Sequence, residues 1–304
     1  MATPMRSTDF RSIVEPILNE SFDGIYDQRA DEWAGVFDEV QGIKRNYHEE
    51  PVLYGFGAAP ELPDGMAVTY QSGGVLFAQR YWYKVYGLAF ALTKVLVEDG
   101  DHIRIGTTYA RHLAQSLVET KETLAANVLN YSFNSAYTGG DGVSLINTAH
   151  PIVNGTFSNQ LTTAAALSQT SLEQMLIQIR QAVDNNGKKI RLTPQKLVVS
   201  PSNVFTAEVL LNSVLRAGTA DNDLNPIKSM GLLAGGQANM SRLTSNTAWW
   251  VKTDAPEGLK IVMRRGLEKS MEGDFETDSM RYKATERYAL GWTDPRAVFG
   301  TAGI

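Results

Sequence analysis

The chain has 304 residues, of which 43% are hydrophobic and 20% charged, and its formal net charge is −5. This length allows one large domain or two to three small ones. No apolar run is long enough to predict a transmembrane helix, and the N-terminus lacks an apolar segment of signal-peptide type. We therefore expect a protein that is made and kept in a cytoplasm. The absence of cysteine excludes disulfides, thiolate metal sites and a cysteine nucleophile, and the acidic balance disfavours nucleic-acid binding by the chain as a whole.

The first fifty residues carry most of the negative charge, with eleven acids against five bases, and the rest of the chain sums to about +1. Apolar spacing predicts a helix over residues 8–28, which Pro16 would kink or end early. Two interpretations of this acidic segment stay open. It is either an arm that lies on or exchanges with other subunits, or a solvated helical face.

Residues 51–74 are punctuated by glycine and proline and predict an extended two-stranded excursion. Within it, three apolar residues alternate with small or polar ones, as in a strand with one apolar face: Met66, Val68 and Tyr70. A longer strand region follows, in which the apolar alternation changes parity at Gly87. That change predicts a β-bulge or a sharp bend.

The strongest periodic signal runs from Arg104 to Asn134. Six apolar residues fall within about 140° of arc on a helical wheel: Ile105, Tyr109, Leu113, Leu117, Leu124 and Val128. Arg104, Arg111 and Glu122 fall on the opposite face. The pattern predicts a helix about 45 Å long, a spine that would brace an elongated molecule.

Residues 143–261 predict a separate α/β unit after a glycine-rich turn at 139–142. A capping box at Thr170–Glu173 should open a helix that ends near Gly187. A buried strand follows at Lys196–Ser200, and Pro201 should start a second helix that runs through Phe205, Val209 and Leu210.

The last third of the chain predicts one loop and three strands. The loop, residues 218–236, is rich in Asn, Asp and Gly and should be mobile. Strands are expected at 249–251, 259–263 and 275–292. The last of these should place Tyr282 and Ala284 on one face and pair back with the 80–97 region.

The order of these elements resembles that of tailed-bacteriophage major capsid proteins of the Hong Kong 97 type. Two segments strengthen the resemblance, Asp141–Pro151 (DGVSLINTAHP) and Arg287–Gly300 (RYALGWTDPRAVFG). The resemblance implies an α+β fold with a long spine helix, an extended β-hairpin called the E-loop, and peripheral and axial domains. It implies the following boundaries: arm 1–49, E-loop 50–77, peripheral domain 78–138 and 262–304, and axial domain 139–261.

The function implied by this resemblance is that of a shell subunit, not an enzyme. Such subunits self-assemble into hexamers and pentamers of an icosahedral head around double-stranded DNA, which they enclose without sequence-specific binding. The implied partners are further copies of the chain, a portal protein, a separate scaffolding protein and, where one exists, a decoration protein. The implied location is the virion, after assembly in the bacterial cytoplasm and without a membrane. The 218–236 loop would then differ in conformation between hexamer and pentamer subunits.

No pattern predicts a catalytic residue, a cofactor site or a metal site. Five patterns resemble such sites, and a structural role is favoured for each of them. They are the helical pair His102 and His112, the run His48–Glu50, the glycine loop Gly55–Pro60, the calcium-like segment Asp221–Asn225, and the aromatic pair Trp249–Trp250, which could also stack on bases. The calcium-like segment continues with Pro226 where a calcium loop has glycine and with Leu232 where it has glutamate.

Two rival functions remain at the level of sequence. An encapsulin, a nanocompartment shell of the same fold, is one, although the acidic N-terminus does not resemble the cargo-docking opening of encapsulins. A cytoplasmic enzyme with unrecognised carboxylates is the other. In the finished phage shell we do not expect covalent crosslinking, since no lysine occurs from Pro51 to Tyr83 to form an isopeptide bond.

Overall fold

The computed structural model describes residues 7–27, 31–42, 44–93, 95–96, 102–216, 223–274 and 279–304. Within them lie five α-helices, α1 Ser7–Tyr26, α2 His102–Asn130, α3 Gln169–Arg180, α4 Val204–Asn212 and α5 Pro226–Ser229. The strands are β1 Asp38–Gln41, β2 Tyr47–Tyr54, β3 Gly74–Trp82, β4 Lys84–Thr93, β5 His150–Ile152, β6 Gly155–Phe157, β7 Pro194–Val199, β8 Gln237–Asn239, β9 Trp249–Thr253, β10 Leu259–Asp274, β11 Ser279–Trp292 and β12 Val298–Thr301.

One four-stranded sheet, in the order β1-β10-β11-β4, forms the platform on which the long helix α2 lies. The predicted return of the C-terminal strand is confirmed, because β11 pairs antiparallel with β4 from Tyr288 opposite Lys84 to Ser279 opposite Thr93. Tyr282 and Ala284 share the buried face of β11, as predicted. Residues 275–278 lie outside the described residues.

The buried face of α2 is wider than the predicted stripe. Glu122, expected on the solvent side, is 2% exposed, whereas Tyr109, expected in the core, is 47% exposed. The reason is that α2 packs against α1 and the 3₁₀ turn Trp33–Gly35 as well as against the sheet. Small residues such as Ala110 and Ala114 are therefore fully buried. The helix also ends at Asn130, four residues earlier than predicted.

Helix α1 begins one residue before the predicted range 8–28 and ends two residues before its end, but the expectation that Pro16 ends it early is wrong. Val14, Leu18 and Phe22 recur at every fourth position and are at most 2% exposed, packed against α2. This packing offsets the missing backbone hydrogen bond of proline. Residues 14–26 of the acidic segment thus lie against the chain's own long helix, with Asp23 paired to Lys269 of β10.

The second four-stranded sheet has the order β12-β9-β7-β8 and carries α3, α4 and α5. The C-terminal strand β12 belongs to this sheet, although it follows directly on β11 of the first. Adjacent tryptophans join the two cores, because Trp249 packs into the second sheet's core and Trp250 into the core beneath α2. Both side chains are at most 1% exposed, which rules out the base-stacking interpretation.

Several local predictions in the α/β unit need correction. The N-cap of α3 is Ser168, whose hydroxyl accepts the Ser171 backbone N–H, and the helix ends at Arg180. Helix α4 follows Pro201 as predicted, but Phe205 is 83% exposed because Ala207, Leu210 and Leu211 face the core instead. Residues 218–222 of the expected loop lie outside the described residues. In the described remainder of that loop the side chains of Ile227 and Leu233 are buried, whereas Leu224 and Met230 are exposed.

The predicted excursion is a β-hairpin, but its strands flank the glycine-rich stretch instead of lying within it. Strand β2 pairs with β3 from Tyr47 opposite Trp82 to Tyr54 opposite Gly74, and residues 55–73 form an irregular loop that contains the mispredicted 66–70 strand. Of the two features predicted at Gly87, a β-bulge or a sharp bend, the bulge is wrong. The β4–β11 register is continuous there, and the glycine is needed because a Cβ would lie 2.6 Å from Thr285 Cγ2.

Candidate assembly surfaces

The patterns considered for metal or cofactor binding do not converge on a site in the described part of the chain. No group of three His, Asp or Glu side chains there could hold a metal ion. His48 lies in β2, half-buried beside Glu50, instead of in a solvated run. The Gly55–Pro60 stretch leads into more irregular loop, and Asn225 caps α5 by accepting the Ile227 backbone N–H. No described helix is long and apolar enough to cross a membrane.

The hairpin loop, residues 55–73, presents a set of exposed apolar side chains that lie close together in the sequence. Five of them are at least 55% exposed, with Tyr70 at 96%: Phe56, Leu62, Met66, Val68 and Tyr70. Large apolar groups held in water without local cover mark an interaction surface. The loop is therefore the first candidate surface for contact with another protein.

The base of the hairpin is held firmly to the platform sheet. Lys260 of β10 is 4% exposed, and its ammonium donates to both carboxylate oxygens of Glu50 at 2.7 and 2.8 Å. The hydroxyl of Thr293 donates to the same carboxylate and also contacts the Tyr81 hydroxyl. Burial acts to raise the pKa of Glu50, but the hydrogen bonds from Lys260 and Thr293 outweigh it, so its pKa lies below the ordinary value.

The start of the loop is fastened at a second point, the turn that follows α3. Asn185 Nδ2 donates to the Leu53 carbonyl at 2.9 Å and Asn186 Nδ2 to the Gly55 carbonyl at 2.8 Å. Lys188 Nζ donates to the Phe56 carbonyl at 2.6 Å. The base of the hairpin and the first residues of the loop are thus held at two separate points.

Buried charges hold α1, α2 and the platform sheet together. Lys121 of α2 and Glu286 of β11 form a 3.0 Å ion pair with side chains 8% and 1% exposed, and the Tyr26 hydroxyl lies between them. Burial and the neighbouring Glu286 raise the pKa of Tyr26. Burial likewise raises the pKa of Glu122, although its carboxylate accepts two backbone N–H groups, from Glu32 and Trp33.

A buried polar network joins the two sheets at the segment 141–159. The Asn159 side chain is fully buried, and its amide group donates to the carbonyls of Leu145, Pro295 and Val298. Its oxygen faces His150 Nε2 at 3.1 Å, and His150 Nδ1 lies 2.6 Å from the Asp141 carboxylate. One side chain thereby ties the chain leaving α2 to the crossing between β11 and β12.

A second exposed apolar patch lies on α4 and the chain after it. Its members are Phe205, Val209, Val214, Leu215, Leu224 and Met230, each at least 45% exposed. The sequence predicted only that the helix after Pro201 runs through Phe205 and Val209. It did not indicate whether they are buried, because an apolar stripe does not say whether the same chain or another one covers it.

Sequence reasoning missed the buried network and the two fastenings of the hairpin. Asp141 and His150 belong to the segment quoted for its family resemblance, but nothing in their spacing indicates the contact with Asn159. Lys121 and Glu286 are 165 positions apart, so no local pattern could pair them.

Comparison with known proteins gives one family and a set of similar folds. A family model described as "Phage capsid protein" matches residues 84–300. The capsid of cyanophage P-SCSP1u has a TM-score of 0.56 at 11% identity, over 91% of this chain and 89% of that one. A virus-like particle from Pyrococcus furiosus has a TM-score of 0.53 at 11% identity, over 94% of this chain and 98% of that one. The mature capsid of bacteriophage PhiM1 has a TM-score of 0.52 at 13% identity, over 90% and 87%. No curated protein matches the sequence.

Proposed function

Because the chain belongs to the phage capsid protein family, we propose that it is the subunit of an icosahedral head, assembled as hexamers and pentamers around double-stranded DNA. Its place in that family and its Hong Kong 97-type fold make it a tailed-phage major capsid protein, a structural component of the virion shell. The finer assembly follows from symmetry. A subunit that makes several modest contacts with copies of itself closes into rings and shells.

The observation that carries the proposal is the hairpin loop 55–73. It is anchored at its base by the buried Lys260–Glu50 pair and yet exposes Tyr70 almost completely. A rigid support beneath an exposed apolar tip suits contact with a neighbouring subunit, since little ordering entropy is lost when it binds. We take the segment 50–77 as the E-loop on this basis.

The remaining divisions follow the same plan. The arm is 1–49, the peripheral domain 78–138 with 262–304, and the axial domain 139–261. Strand β12 is an exception within the peripheral range, since it pairs with β9 of the axial range. The exposed patch on α4 would lie in the axial domain and face other subunits around the local symmetry axis.

Other partners of the shell follow from its role. We propose a separate scaffolding protein, a portal protein and, where one exists, a decoration protein, with assembly in the host bacterial cytoplasm. The near-neutral charge after residue 50 supports loose contact with packaged DNA, because a strongly basic lining would hold it tightly.

Electron microscopy of the purified protein tests this function. Large closed shells with hexameric and pentameric capsomers, empty or filled with DNA, are expected. The fold alone does not decide what a shell contains, because a virus-like particle shares it. Small shells that hold a protein cargo would favour a nanocompartment, and discrete small particles without shells would contradict the proposal.

A further inference from the structure

A groove lies between the base of the hairpin and the C-terminal half of α2. Its volume is about 420 Å³, within the range of about 300–1,000 Å³ common for binding sites. Its lining is mostly aromatic and apolar, and includes Trp82, Tyr86, Val128, Tyr131, Tyr137 and Trp292. The chain's own loop 55–73 supplies none of the described lining residues.

The aromatic rings of this groove are both exposed and held in place. Trp82 is 58% exposed, Tyr137 54% and Tyr131 39%. The two tyrosine rings stack with centroids 4.2 Å apart and planes 5° from parallel. A fixed platform of ring faces and edges binds apolar groups at a low cost in conformational entropy.

Positive charge lines the groove next to these rings. Arg80 and Lys84 both contribute to its wall. Arg80 also pairs with Glu49 and lies over the Tyr47 ring, which fixes its position. An apolar segment that carries acidic residues is the complementary ligand.

The hairpin loop contains such a segment. Residues 60–65 read Pro-Glu-Leu-Pro-Asp-Gly, and loop 55–73 holds two acids, Glu61 and Asp64, and no basic residue. Prolines three positions apart favour the polyproline II helix, which aromatic-lined grooves bind. Leu62, between them, is 55% exposed.

We propose that the groove binds residues 60–65 of a second copy of this chain. Pro60 and Pro63 would pack on the ring platform, and the two acids would lie toward Arg80 and Lys84. A second copy is required because the chain's own loop is fastened to Asn186 and Lys188 at its start and does not enter its own groove. The inference rests on the proposed shell function for the presence of neighbouring copies, and it names the surface that receives the hairpin.

A peptide titration tests the groove without assembly. A synthetic peptide of residues 57–70 should bind the unassembled full-length subunit saturably, measured by calorimetry. The variant Trp82→Ala should weaken binding by about tenfold or more, as expected for a central aromatic contact. A peptide with Pro60→Ala and Pro63→Ala should weaken it similarly. Phe205→Ala, equally an exposed aromatic but on α4, is the control and should leave binding unchanged. No saturable binding to the wild-type subunit overturns the proposal.

A charge reversal tests the same contact during assembly. Lys84→Glu alone, and Glu61→Lys with Asp64→Lys, should each reduce the yield of shells, and the three changes together should restore it. Suppose that the wild-type protein forms shells. The groove proposal is then overturned if each partial variant gives a full yield of shells, or if the combined variant does not recover the yield, and the shell function is unaffected by either result. Wild-type protein that forms no shells contradicts the shell function, and the peptide titration still decides the groove. A different protein that co-purifies with the wild-type subunit and is lost in Trp82→Ala would make the occupant something other than a second copy.

Discussion

At the scale of single residues, Asn159 has the most polar contacts to satisfy. It donates to three backbone carbonyls and accepts from the Asn147 backbone N–H and from His150, all within the interior. A buried polar group that loses its partner is costly because water cannot replace the contact.

We therefore predict that Asn159→Ala lowers the free energy of unfolding by about 2–4 kcal/mol, measured by urea denaturation. The exposed Asn212, whose side chain contacts Glu208 on the surface of α4, provides the control. Asn212→Ala should change the free energy of unfolding by less than about 0.5 kcal/mol. Equal effects of the two substitutions would show that the buried network adds no more to the free energy of unfolding than a surface contact does.

The second residue prediction concerns Glu50 and acid. The folded-state pKa of this carboxyl lies below its ordinary value, because Lys260 and Thr293 donate hydrogen bonds to it. Its contacts with Lys260 and Thr293 thus stabilise the fold at pH values above the ordinary pKa, and this contribution is lost as the pH falls through the lowered folded pKa.

Glu50→Gln should accordingly reduce stability at pH 7 by about 1–2 kcal/mol and have a smaller effect at low pH. Thermal unfolding of both proteins between pH 7 and pH 3 measures the difference, with Glu49→Gln, more exposed and paired with Arg80, as the control. A gap between wild type and Glu50→Gln that stays constant over this range would show that the carboxylate's charge is not what matters.

At the scale of elements, we predict that the hairpin loop is needed for assembly of the shell but not for folding of the subunit. Strand pairing closes with Tyr54 opposite Gly74, so an Asn-Gly turn can replace residues 55–73. The two cores contain no residue of that loop. We expect a folded subunit with a Tm within a few degrees of the wild type, measured by calorimetry, that forms no closed shells in electron micrographs.

A second variant tests whether the apolar side chains of the loop, and not only its length, are needed for assembly. It keeps the loop at full length and changes Leu62, Met66, Val68 and Tyr70 to Ser. If apolar contact drives the interaction, this variant should fail in the same way. Normal particles from the Asn-Gly variant would show that the hairpin loop has no role in shell closure.

At the scale of the whole molecule, we predict a shell that is held by non-covalent contacts. The hairpin Tyr47–Trp82 contains no lysine, and the nearest one, Lys84, is part of the sheet in β4. Cysteine is absent as well. Buried apolar surface, at about 25 cal/mol per Å², is then the main source of cohesion between subunits.

Particles boiled in detergent should therefore release a single species of 33.4 kDa on a denaturing gel. Mass spectrometry of any slower band identifies its peptides. A ladder of oligomers that contains peptides of this chain would show that a covalent bond forms elsewhere on the surface.

The sequence by itself determined the kinds and order of the elements and the chemistry that is missing. Periodic apolar residues predicted α1, α2 and the pairing of β11 with β4, because the helix and strand repeats are local properties of the chain. Composition alone excluded thiol chemistry. The order of the elements was sufficient to indicate the family.

Only the tertiary structure decided which faces are buried and which are presented to other subunits. Glu122 is buried and Phe205 exposed because the cover over each depends on elements far away in the chain. The ion pair of Lys121 with Glu286 and the groove beside Trp82 arise in the same way. An apolar stripe predicts that a surface will be buried. Which residues bury it, from the same chain or from another subunit, is decided by the packing of the fold and by the assembly.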